Sequence, residues 1–317
     1  MWPSASIDGW LPSRSSGSAK RSRPPFALDW AVRTLALILA ILIAAASISD
    51  ALVVSELPIA SDRERVERQR RGGRGGFNIR PAAPEDFDGL YQFCRIAFRG
   101  NRAGDGGGWG VDYPRADINV SIRLSELTKT AVSFAAPQEP NHVVVRLTDD
   151  TLFQCPMVMM TDVGAAYLDT AEAEALRAYV LKGGFVWADD FWGEYAWQAW
   201  TDQLSKALPP AEFPIRDLEK GHPLFRTIFD IGGVPQIASI GHWWGSGGGT
   251  SERGAESAEP HARAIFDGQG RMMVLMTHNT DIGDSWEEEA SNPQYFYEFS
   301  TKGYAFGINA IVYAMTH

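Results

Sequence analysis

Cysteine is scarce: the 317 residues contain only Cys94 and Cys155. Both stand in apolar, strand-like contexts and read as small buried side chains rather than as a disulfide, which leaves the redox compartment open. The chain also lacks a phosphate-cradling loop, a recognisable nucleophile and a complete set of metal ligands, so no motif names a reaction. Basic charge is short where the chain can fold. Residues 77–317 carry 18 Lys and Arg against 32 Asp and Glu, a surplus that repels phosphate backbones and excludes nucleic acid as a partner. There is no internal repeat.

A long hydrophobic run occurs at Thr34 to Ile48, preceded by Lys20, Arg21, Arg23 and Arg33 and resumed at Ala51 to Val54. Its length lies between that of a signal-peptide core and the roughly 20 residues of a full span. Residues 1–33 therefore read as a basic tail and 34–54 as a signal anchor, with a cleaved signal peptide as the alternative. Residues 55–76, with the dense charge and glycine of Ser61 to Gly76, read as a tether. Arginines on both sides of the apolar run leave its orientation open, because long domains translocate largely regardless of flanking charge.

From Phe77 the pattern is that of one α/β domain. Strands are expected at Leu90–Phe98, Val143–Leu147, Pro156–Met160 and Gly183–Asp190, with a hairpin of Ala262–Phe266 and Met272–Thr277. Helices are expected over Pro114–Lys129, with an apolar stripe of Ile118, Ile122, Leu124 and Leu127, and over Glu194–Leu208 and Thr301–Met315. Another begins after Asp169, where Glu172 completes a capping box, and stops at Gly183. Strand, helix, strand in this order implies parallel neighbours joined by right-handed crossovers.

Several stretches in one order carry a family resemblance: Asp112-Tyr113-Pro114-Arg115-Ala116-Asp117-Ile118-Asn119 with Arg123 to Thr128, then Leu176 to Trp192, His222 to Phe225, His278 to Asp281, and Gly307 to Asn309 with Val312 to Ala314. With them, residues 77–317 resemble the bacterial domain-of-unknown-function family numbered 4159. The resemblance implies a flavodoxin-like fold related to class I glutamine amidotransferases, a mostly parallel sheet with helices on both faces, here preceded by one N-terminal membrane helix. It also favours an exported domain. It brings no activity, since a fold assigns none. Amidotransferase chemistry needs a cysteine on a strand-to-helix elbow, and neither Cys94 nor Cys155 sits on one.

The apolar strand Gly183–Ala188 runs directly into Asp189 and Asp190, at the strand end where open α/β sheets bind ligands. If the sheet is parallel, Asp162 and the polar loop His278-Asn279-Thr280-Asp281 emerge at the same edge. Asp189, Asp190, Trp192, His278, Asn279, Asp281 and Trp286 are the candidate ligand-binding residues, with Trp192 or Trp286 as a wall. Asp189, His278 and Asp281 are the candidate ligands of a divalent metal, although no cofactor is established by the sequence. The competing structural reading has Asp190 capping the next helix, Asp189 accepting loop amides and Asp281 closing an Asx turn. Together these features lead to a membrane-tethered, extracytoplasmic domain that binds an envelope glycan, peptide or protein without catalysis. The alternative is a metal-dependent hydrolase using Asp189, Asp190, His278 and Asp281.

Overall fold

A computed structural model describes residues 82–317, which form a mixed α/β domain. The expected anchor and tether lie outside the described residues. No helix among the described residues is long and apolar enough to cross a membrane.

Seven strands make the central sheet: β1 (Phe93–Ile96), β2 (His142–Val145), β3 (Met157–Thr161), β4 (Phe185–Asp189), β5 (Arg216–Asp217), β6 (His261–Phe266) and β7 (Met272–His278). Their spatial order is β2-β1-β3-β4-β7-β6-β5. The first five in that order are parallel, and the β7/β6 hairpin and β5 add an antiparallel margin. The order reverses at β1: the chain steps outward to β2, then crosses back to β3, so the carboxyl ends of β1 and β3 flank a topological switch point.

Side chains alternate across the sheet as a twofold repeat requires. Cys94, Ile96, Val158, Met160, Val186 and Ala188 face one layer, which holds α2 (Thr170–Leu181) and α3 (Gly193–Ala207). Phe93, Met157, Met159, Phe185, Trp187 and Leu275 face the other. That layer is built from α1 (Arg115–Leu127), the short α5 (Ile282–Glu287) and α6 (Thr301–Thr316). A further short helix, α4 (Ile240–Gly245), lies in the long connection between β5 and β6, and a π turn at Phe296–Ser300 leads into α6. At α2 the capping box forms as read from the sequence, Asp169 accepting from the Glu172 amide and Glu172 from the Asp169 amide, both at 2.9 Å.

Two expectations are corrected. The buried face of α1 is Ala116, Asp117, Val120, Ser121 and Leu124, whereas Leu127 is exposed. The helix is turned because Asp117 forms a salt bridge with Arg95 of β1, both side chains fully buried. A charge pair inside the layer overrides the apolar stripe, since an unpaired buried Arg95 is far costlier than a half-exposed isoleucine. Cys94 and Cys155 are also not separate thiols. They form a disulfide across a Cα–Cα distance of 6.1 Å, tying β1 to the residues just before β3. Strand context could not show this, because the two cysteines meet only when β1 and β3 become neighbours.

Candidate functional site

At the carboxyl edge of the sheet the strands end in Asp or Asn held in the left-handed backbone region. Asp162 follows β3 with φ 54°, Asp190 follows β4 with φ 54° and Asn279 follows β7 with φ 62°. Asp112, in the long connection from β1 to α1, has φ 59°. Asp and Asn tolerate this conformation better than other side chains, and such strain concentrates at functional edges. The turn lets each chain leave its strand sharply and points the four loops at one another.

Asp189 is fully buried and links β4 to the start of α5. Its carboxylate accepts from the Thr277 hydroxyl and from the amides of Ile282 (2.9 Å) and Gly283 (3.1 Å). Burial pushes its pKa up to about 7 against the pull of those hydrogen bonds. Asp281 caps α5, accepting from the Asp284 amide at 2.8 Å, and Asp190 accepts from the Trp192 indole at 3.0 Å. Asn279 accepts from the Gly193 amide at 2.8 Å and donates to the Glu259 carbonyl at 2.9 Å, binding three loops together.

His278 faces away from these carboxylates. Its Nδ1 lies 3.0 Å from Arg263 and its Nε2 3.0 Å from the Gly193 carbonyl. A guanidinium only donates, so Nδ1 accepts and the proton resides on Nε2. The ring packs against Phe191, Trp197 and His261, and burial lowers its pKa to about 4. Trp286 is a core residue, fully buried and edge-on to Trp187 and Phe93. Trp192 lies at the edge, nearly buried.

Sequence reasoning missed Asp112, Asp284 and Glu287. Asp112, Asp190 and Asp281 bring carboxylate oxygens within 4.8 Å of one another, and so do Asp112, Asp284 and Glu287. These two sets, which share Asp112, are the residues that could hold a metal ion. Burial lifts Asp112 to about 8 against the pull of the Arg95 charge, with Glu287 and Asp189 adding repulsion, and holds Asp190, Asp281 and Asp284 well above the usual carboxylate range. Asp162 stands nearby, wrapped by the glycine loop: its carboxylate accepts from the Gly108 amide at 2.7 Å, and a Cβ on Gly106 would lie 1.8 Å from it. The signal available in the sequence was the spacing Asp281, Asp284, Glu287. Three-residue steps put carboxylates on one side of a helix, but only once the segment is read as a helix rather than a loop.

Arg95 sets the position of Asp112. Beyond Asp117, its guanidinium donates to the carbonyls of Trp109 (3.3 Å) and Val111 (3.2 Å), the residues leading into Asp112. Gly283 leaves the opening that Asp112 enters, because a Cβ there would come within 2.5 Å of its carboxylate.

The molecule is thus an α/β protein with a mostly parallel sheet and an acidic cluster at the sheet's carboxyl edge. The family model described as Domain of unknown function (DUF4159) matches residues 93–315, and the chain belongs to that family. No curated protein matches the chain.

Proposed function

We propose that this protein is a membrane-tethered, extracytoplasmic binding domain of flavodoxin-like, class I amidotransferase-like architecture. Its ligand, an envelope glycan or peptide, sits at the carboxyl edge of the sheet. The observation that carries the binding reading is the meeting of Asp112, Asp190 and Asp281, from three separate connections, beside the switch point. The parallel strand order 2-1-3-4 followed by β7 supports the flavodoxin-like assignment. The Cys94–Cys155 disulfide supports export, since such bonds persist in oxidising compartments and are rare in the cytosol.

Geometry favours binding over the metal-dependent hydrolase using Asp189, Asp190, His278 and Asp281. Of these four, Asp189 and His278 are engaged by internal hydrogen bonds and stand outside the carboxylate sets, which take in only Asp190 and Asp281. The test is twofold. A reporter fused after Gly76 is expected to signal from the outer side, and a cytoplasmic signal would refute the location. Isolated envelope glycan strands and peptides are then titrated into the full chain and into Asp190→Asn. Binding by the wild type that the substitution weakens supports the reading, whereas binding to neither class, or binding indifferent to the substitution, refutes it.

A further inference from the structure

The carboxylates at the sheet edge present an electrostatic problem that the protein's own groups solve only in part. Asp112, Asp190 and Asp281 form one set and Asp112, Asp284 and Glu287 another; none of the five takes part in a salt bridge among the described residues, and Asp112 has only the charge of Arg95 and the Thr161 hydroxyl at 3.5 Å in its favour. Asp284 sharpens the point. It is only 8% exposed, its oxygen lies within 4.8 Å of those of Asp112 and Glu287, and no donor among the described residues meets its carboxylate. Buried carboxylates are ordinarily paired, hydrogen-bonded or bound to metal. The neighbouring Asp189, with its hydroxyl and two amides, shows that this fold can satisfy a buried carboxylate internally when it has a structural task.

We infer that this cage is a binding site for a hard divalent cation, Ca²⁺ by its ligand number, seated at Asp112, the residue shared by the set with Asp284 and Glu287 and the set with Asp190 and Asp281. The ligand set is oxygen only, which selects a hard ion over zinc or copper. Ligand number selects between the hard ions. Mg²⁺ is ordinarily held by one or two carboxylates and keeps several waters, whereas Ca²⁺ takes about 6–8 oxygens, several of them from carboxylates. Each set brings three carboxylate oxygens within 4.8 Å of one another, so a cation at Asp112 meets more carboxylates than Mg²⁺ usually takes. The His278 imidazole takes no part. The inference rests on the carboxyl edge being the binding face, and the cation becomes the feature that an anionic or hydroxyl-rich ligand would meet.

The test uses the full chain, solubilised in detergent, stripped with chelator and titrated with Ca²⁺ at mildly alkaline pH by calorimetry and thermal unfolding. Wild type is expected to bind and to gain thermal stability. Asp112→Asn and Asp190→Asn are each expected to weaken binding more than about tenfold, since even outer partners of metal ligands contribute 10–100-fold. Without Ca²⁺ the Asp112→Asn protein should melt no lower than wild type, because one repelling charge is gone. A purely structural aspartate would do the reverse, melting lower with Ca²⁺ stabilisation unchanged. Asp190→Asn, at the partly exposed rim, covers the case in which Asp112→Asn does not fold. The control is Asp217→Asn, an exposed carboxylate paired with Arg263 at 3.0 Å, which should bind as wild type does. No stabilisation of wild type by Ca²⁺, unaltered binding in the site variants, or equal weakening in the control would overturn the site. Titration of purified protein is blind to the side of the membrane, so its failure is separable from that of the reporter test.

Discussion

His278 illustrates how a polar ring at the sheet edge can serve the fold rather than the carboxylate cluster beside it. It is buried neutral between Arg263 and the Gly193 carbonyl, and burial holds its pKa near 4, below the ordinary value of 6.5. Between those two values the unfolded chain takes up a proton that the folded chain refuses, so this residue's contribution to stability falls as pH falls through that window. His278→Gln should be less stable than wild type at neutral pH, through lost packing and hydrogen bonds, by about 1–3 kcal/mol. The gap should narrow on acidification from pH 6.5 to 4, because the variant lacks the penalty. Denaturant midpoints across that range check the point, and a gap that is constant or widens would mean that the imidazole is charged in the fold.

At the scale of elements, β1 carries more than its four residues suggest: a disulfide through Cys94 on one face and the buried Arg95–Asp117 pair on the other. Replacing both cysteines opens a loop with a sequence separation of 61 and is expected to lower stability by about 2–4 kcal/mol, read as a shift in denaturant midpoint. Asp117→Asn leaves Arg95 buried without its counter-charge and should cost about 3–5 kcal/mol, while also loosening the loop that presents Asp112. Limited proteolysis within residues 101–111 should report that loosening. The same strand shows where the sequence was legible. Apolar runs ending in Asp or Gly gave β3, β4 and the β6/β7 hairpin close to their true limits, and the capping box gave α2, because those signals are local. The cysteine pairing, the rotation of α1 and the role of Asp112 depend on which segments become neighbours, and no local pattern encodes that. Helix α5 went unread since its six residues begin among polar side chains, and only Ile282 and Trp286, four apart, mark its apolar side.

At the scale of the whole molecule, if the chain is tethered as proposed, two segments outside the described residues would attach it to a membrane in different ways: the apolar run 34–54 and the arginine-rich stretch after it. They differ in what releases the protein. An embedded apolar segment resists salt and yields to detergent, whereas a polybasic contact is screened away as ionic strength rises. The chain is expected to stay with the membrane fraction through a high-salt wash and to dissolve in detergent. Release by salt alone would transfer the anchoring role to the arginines. If neighbouring copies share one surface, they meet at a local concentration far above that of the same chains free in solution. The outer strand β5 then acquires a meaning beyond the fold. It offers only Arg216 and Asp217, both exposed, as the last rung of the sheet. A longer apolar margin there would invite the next copy to add its own strand and continue the ladder. This brief, charged margin denies a neighbouring copy a template on this side of the sheet.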